Sequence, residues 1–160
     1  MFRRGVKIAL PGLVLATLVG VLLGVGAETF YYAEGASYLS DNPQTCVNCH
    51  IMKEQYDSWQ HGPHHANASC NDCHVPHEFV AKWLAKGEHG YRHSKAFTLQ
   101  DFHEPIRITP EDRLIVRDNC VRCHQAKVGD LPGSDPHAIA GKDALDCLHC
   151  HSSAGHGFRR

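Results

Sequence analysis

All eight cysteines of the chain fall into four copies of one pattern: Cys46-Val-Asn-Cys49-His50, Cys70-Asn-Asp-Cys73-His74, Cys120-Val-Arg-Cys123-His124 and Cys147-Leu-His-Cys150-His151. No cysteine is left over. A histidine directly after every second cysteine is what c-type haem attachment demands: two thioethers hold the porphyrin edge and the adjacent imidazole reaches the iron. A disulfide framework would account for the even cysteine count, and paired zinc ribbons for the C-x-x-C steps, but neither needs the histidine. The motifs therefore imply four covalently attached haem c groups. With 14 His against only 6 Phe and 2 Trp, the chain has little else from which to build a core, so the haems must supply much of it. The formal net charge of −1 suggests no nucleic-acid partner, and haem propionates would make the molecule more acidic still.

Ile8 to Ala27 is a run of twenty residues without a charge, IALPGLVLATLVGVLLGVGA. As a helix it matches the hydrocarbon thickness of a bilayer. Arg3, Arg4 and Lys7 precede it, and Glu28, Phe30, Tyr31 and Tyr32 follow. That asymmetry predicts a single-pass anchor in the cell inner membrane, N-terminus in the cytoplasm and haem domain in the periplasm. A cleaved signal peptide is the alternative, since Val25-Gly26-Ala27 resembles a small-x-small cleavage site, but the apolar run of a signal is usually only about 7–15 residues. The orientation puts every cysteine where c-type haems are attached. Gly20 and Gly24 form a G-x-x-x-G step through which two anchors would pack into a homodimer, although glycine-rich spans produce that spacing by chance as well.

The expected architecture is mainly α-helical and irregular. A segment carrying the transmembrane helix, residues 1–27, precedes a small multihaem c-type cytochrome domain with a haem-filled core, residues 28–160. The longest interval without a motif, Val75 to Asn119, separates the motifs into pairs, 46–74 and 120–151, a hint of duplicated dihaem halves. One segment of that interval reads as a helix, from Phe79 to about His93. Lys82, Lys86, His89 and His93 share one of its faces, with Val80, Trp83, Leu84 and Tyr91 turned elsewhere. Gly87 and Gly90 weaken its second half. The basic face is either solvated surface or one side of an amphipathic helix lying in the membrane interface.

The motif histidines His50, His74, His124 and His151 are the default iron ligands. A distal ligand approaches from the opposite face of the ring and so comes from outside the motif turn. His149 lies within a motif and points poorly. His65 stands too close to Cys70 to cross its own haem easily and is better placed to serve another. His137 and His156 occupy short segments flanking the last motif. Each of these three has an alternative role as a surface residue or propionate partner. Met52, two residues after His50, lies on the same side of the porphyrin, so the two compete for one axial position. As the ligand, Met52 would raise the iron's potential and suit a site where electrons arrive; otherwise it fills space against the haem edge.

With four haem motifs, one N-terminal anchor and C-x-x-C-H-x-M at the first site, the chain resembles the NapC/NirT/NrfH family of membrane-anchored tetrahaem quinol dehydrogenases. The likeness extends through SYLSDNPQTCVNCHIM, HANASCNDCHVPHEF and the closing C-x-x-C-H with AGHG. YDSWQH and GYRHSKAFTL look most like the NrfH branch, the small subunits of cytochrome c nitrite reductase. The resemblance implies that Met52 rather than His50 is the axial ligand of haem 1, that His65 is the distal ligand of haem 3, and that His156 is that of haem 2. It gives His137 to haem 4, a position that a catalytic subunit completes in some relatives, and it places Lys82 at the quinol pocket. Position 89 is usually acidic in NrfH relatives; His89 in its place would either ligate the first iron or take a quinol proton without binding it.

The function so implied is oxidation of menaquinol at haem 1, with Lys82 orienting or stabilising the quinol oxygen and His89 as the base. Electrons would leave through haem 4 to a periplasmic multihaem reductase, in first place the catalytic subunit of cytochrome c nitrite reductase. The rivals are a NapC-type donor to nitrate reductase or to several reductases, and an anchored electron relay without a quinol site.

Overall fold

The structure, a computed structural model, describes residues 10–131 and 145–157. Its first helix, α1 (Leu10–Tyr32), is the one described helix long and apolar enough to cross a membrane. Its 23 residues give a length of about 35 Å, against a hydrocarbon core of about 30 Å. Pro11 sits in its first turn, where a missing backbone N–H costs nothing. A Cβ added at Gly20 or Gly24 would meet nothing within 4 Å. The chain forms two compact units, Met1–Ser37 and Tyr38–Arg160.

The second unit is helical, with no strand among the described residues. Short 3-10 turns at Pro43–Asn48 and His50–Met52 lead into α2 (Lys53–Gln60). Then follow α3 (Cys70–His74), α4 (Phe79–Leu99), α5 (Pro110–Val128) and α6 (Cys147–Cys150). Caps set several of the starts. Asn42 Oδ1 accepts the Gln44 N–H at 2.9 Å ahead of the first motif. Ser69 donates both its N–H and its hydroxyl to Asp72 ahead of α3. Thr109 Oγ1 accepts the Asp112 N–H at 3.1 Å, with Pro110 beginning α5. Each satisfies an amide that the first turn leaves without a helical partner.

The buried apolar side chains among the described residues are Val75, Ala85, Val116 and Val121. All are small, as expected of a domain whose protein part cannot close a core alone. Val75 follows α3, and Val116 and Val121 lie on α5, so the second and third motifs pack against one another. Asn119, itself buried, donates to Cys73 O at 2.9 Å and to Val75 O at 3.0 Å, fixing the end of the second motif to the residue before the third. Arg113 reaches Asp146 at 2.7 Å, tying α5 to the start of α6.

Candidate functional site

Three of the four motifs share one local geometry. In the second and third, both cysteines and the histidine ride on α3 and α5; in the fourth, α6 carries the cysteines and the His151 N–H still bonds to Cys147 O at 2.9 Å. One helical turn thus puts the two thiols on one side and the imidazole a turn further on. The first motif breaks this pattern. Its turn ends at Asn48, Cys49 is extended (φ −89°, ψ 110°), and a new 3-10 turn begins at His50. The break leaves His50 exposed and draws Met52 half into the fold, its N–H bonded to Cys49 O at 2.9 Å. None of the eight cysteines is joined in a disulfide.

The histidines come in apposed pairs. His74 and His156 have ring centroids 5.9 Å apart, and His64 and His124 are 6.1 Å apart. Two imidazoles bound to opposite sides of one iron stand roughly 6 Å apart between centroids, given metal–nitrogen bonds of about 2.0 Å. Both partners of the motif histidines are also set in the right tautomer. His156 Nδ1 bonds to Gln55 O at 3.1 Å and His64 Nδ1 to Ala154 O at 3.0 Å. Carbonyls only accept, so each Nδ1 carries the proton and each Nε2 presents its lone pair to a metal. Burial first, then the His156 and His89 imidazoles, push His74 down to about 4, so it is neutral and ready to ligate at ordinary pH. Among the described residues no three His, Cys, Asp or Glu converge to hold a metal ion unaided. Paired imidazoles beside unpaired C-x-x-C thiols fit a haem and not a tetrahedral ion.

His65 is exposed, its ring set edge-on to Trp59 at 4.8 Å, while its neighbour His64 faces His124. His137 falls outside the described residues.

The face of α4 that carries Lys82, Lys86, His89 and His93 is turned inward. Lys82 Nζ reaches Asp41 at 2.6 Å; Lys86, only 6% exposed, bonds to Asp41 and to Ser40 O, both at 2.7 Å. Hydrogen bonds from Lys82 and then Lys86 hold the Asp41 carboxyl well below the usual carboxylate range. His89 Nε2 meets Asp112 at 2.9 Å. Burial raises Asp112, but the bonds from His89 and Thr109 outweigh it and hold this carboxyl low as well. His93 Nδ1 bonds to the Tyr38 hydroxyl at 2.9 Å. Burial, then Cys49 and Cys46, push Tyr38 up to about 12, which places that pair beside the first motif. A cavity of about 160 Å³ opens next to Lys82, with Asp41, Asn71, Val75 and His77 in its wall.

Asp41, His64 and Asp112 were not singled out by sequence reasoning. Asp41 carried a faint signal, as the acid nearest the first motif on its N-terminal side; His64 carried none that distinguished it from His65.

Four C-x-x-C-H motifs and apposed imidazoles on a chain with one apolar N-terminal helix are the features of a membrane-bound c-type cytochrome. The chain belongs to the NapC/NirT cytochrome c family, matching its N-terminal region over residues 7–160, and with it to proteins that carry covalently bound haem c. It is 35% identical to the cytochrome c-type protein NrfH of Wolinella succinogenes, across 91% of this chain and 86% of that one. It is 31% identical to the cytochrome c nitrite reductase subunit NrfH of Nitratidesulfovibrio vulgaris, over the same shares. NapC of Haemophilus influenzae is 27% identical over 97% of this chain and 84% of its own. Among solved structures, the cytochrome c nitrite reductase NrfHA complex bound to the HQNO inhibitor contains a chain that superposes with a TM-score of 0.62 at 30% identity, covering 89% of this chain and 90% of that one.

Proposed function

We propose that this chain is a tetrahaem quinol dehydrogenase that oxidises menaquinol at the periplasmic side of the inner membrane, N-terminus inside, and passes the electrons to a periplasmic multihaem reductase, the catalytic subunit of cytochrome c nitrite reductase. The likeness to two NrfH subunits and to a chain of the inhibitor-bound NrfHA complex supports that partner. When bound, the four haems supply a series of one-electron carriers.

The observation that carries the reading is the inward titratable face of α4. A quinol gives up two protons with its two electrons, so its site needs a donor for the quinol oxygen and a base. Lys82 holds its ammonium at the cavity edge, and Asp41 lies 2.6 Å from it as a charged acceptor. Lys82 donates to the quinol oxygen and stabilises negative charge as the proton leaves. His89 serves as base, not ligand, because its Nε2 is already committed to Asp112, which steadies the imidazolium that forms. Met52, not His50, would hold the iron of a haem at the first motif, since the chain break at Cys49 leaves His50 outward. His156 pairs with His74 and His64 with His124; His151 takes His137 or a residue of the partner.

Lys82→Ala should abolish haem reduction by menaquinol and leave reduction by dithionite intact. Unimpaired quinol-driven reduction would reject the site. The similarity to NapC favours a second reading, delivery to nitrate reductase or to several reductases. Turnover with the purified nitrite reductase catalytic subunit, compared with nitrate reductase, separates the two.

A further inference from the structure

Helix α4 is amphipathic in an inverted sense. Polar groups make many of its contacts with the rest of the unit, beside the buried Ala85: Lys82 and Lys86 with Asp41, His89 with Asp112, His93 with Tyr38. By helical spacing Val80, Leu84 and Tyr91 lie opposite, 67, 69 and 70% exposed, while Phe79 and Trp83 flank the polar side, 77 and 38% exposed, with the Lys86 ammonium 5.4 Å over the Trp83 ring. An apolar stripe of this size on a water-soluble face is a partner site. The haem motifs do not cover it, because Tyr38 with Cys46 and Cys49, and His74 with His89, lie on the inward side.

We infer that this face of α4 lies in the headgroup boundary of the bilayer that α1 spans. Two features select lipid as the occupant. The composition is interfacial: the aromatics Phe79, Trp83 and Tyr91 accompany aliphatic Val80 and Leu84, and the exposed ion pairs Arg92–Glu88 and Lys95–Asp101 border them at headgroup level. The tether is short as well. α1 ends at Tyr32 and the second unit starts at Tyr38, a step that spans at most about 20 Å of chain. An unpartnered apolar helix face so tethered has a bilayer always within reach. Lys82, on the inner side of the same helix, then stands at the depth where a lipid-soluble quinol presents its head. The inference rests on anchoring and needs no quinol oxidation.

The test uses the full-length holoprotein in phosphatidylethanolamine and phosphatidylglycerol liposomes, irradiated with a bilayer-partitioned aryl diazirine, with adducts mapped by mass spectrometry. Adducts are expected on the outward residues from Phe79 to Tyr91 in addition to α1. The double variant Val80→Glu with Leu84→Glu, at positions exposed enough to leave haem content unchanged, should lose α4 labelling several-fold and keep labelling of α1. Adducts confined to α1 in the unaltered protein, or α4 labelling unchanged in the double variant, would overturn the inference.

Discussion

His64 and His65 are adjacent in the chain, yet they are held differently. His64 has its Nδ1 on Ala154 O and its ring opposite His124, whereas His65 lies exposed against the edge of Trp59. His64→Ala should convert one low-spin iron to high-spin in the electron paramagnetic resonance spectrum, and His65→Ala should leave the low-spin count unchanged and remove only an aromatic contact. The reverse result would restore the assignment implied by resemblance. Spacing from Cys70 did not separate the two, because which imidazole crosses to another haem is decided by residues 153–157 folding back over α2, a contact some ninety residues away in the chain. Met52 stood out because its competition with His50 follows from spacing alone, and the structure has His50 exposed and Met52 half-buried. Asp41 did not, because a lone acid acquires meaning only when two lysines of α4 converge on it. Lys86 is nearly buried and loses its charged partner if Asp41 is neutralised, keeping Ser40 O and the Trp83 face, so Asp41→Asn should lower stability by about 1 kcal/mol after allowance for the exposure of Asp41. Chemical denaturation of the holoprotein reads this directly.

At the level of elements, α4 was readable from its 4, 3, 4 spacing of basic residues and runs past His93 to Leu99. Helix α5 was not read, because its apolar residues, Leu114 to Val116 and then Val121, cluster instead of recurring along one face. Its N-terminal sequence, Thr109-Pro110-Glu111-Asp112, was the available signal: a capping threonine, proline at the first helical position, then two acids against the positive helix end. The α4–α5 contact through His89 and Asp112 has a pH signature. Asp112 binds its proton less tightly folded than unfolded, so its contribution is complete above about pH 5 and is lost as pH falls below about 4. Thermal unfolding followed by circular dichroism should show the midpoint dropping between pH 5 and pH 3, with a shallower drop in Asp112→Asn. An equally steep drop in that variant would mean the contact carries no such linkage.

At the scale of the molecule, the sequence implied a haem domain with a small protein core, and among the described residues no buried apolar side chain is larger than valine. How the motifs associate was hidden. They lie in pairs along the chain, but Asn119 joins the second to the third and Arg113 joins α5 to the fourth, so the haem-bearing turns are linked in series within one unit. Such long-range hydrogen bonds leave no periodic trace in a sequence. The proposed quinol oxidation would use that series as its electron path, and it is tested most directly by adding menaquinol to the purified protein alone in liposomes and following the haem absorbance. The account predicts rapid reduction of bound haem without any second protein. Haem that stays oxidised with menaquinol yet reduces fully with dithionite would contradict it.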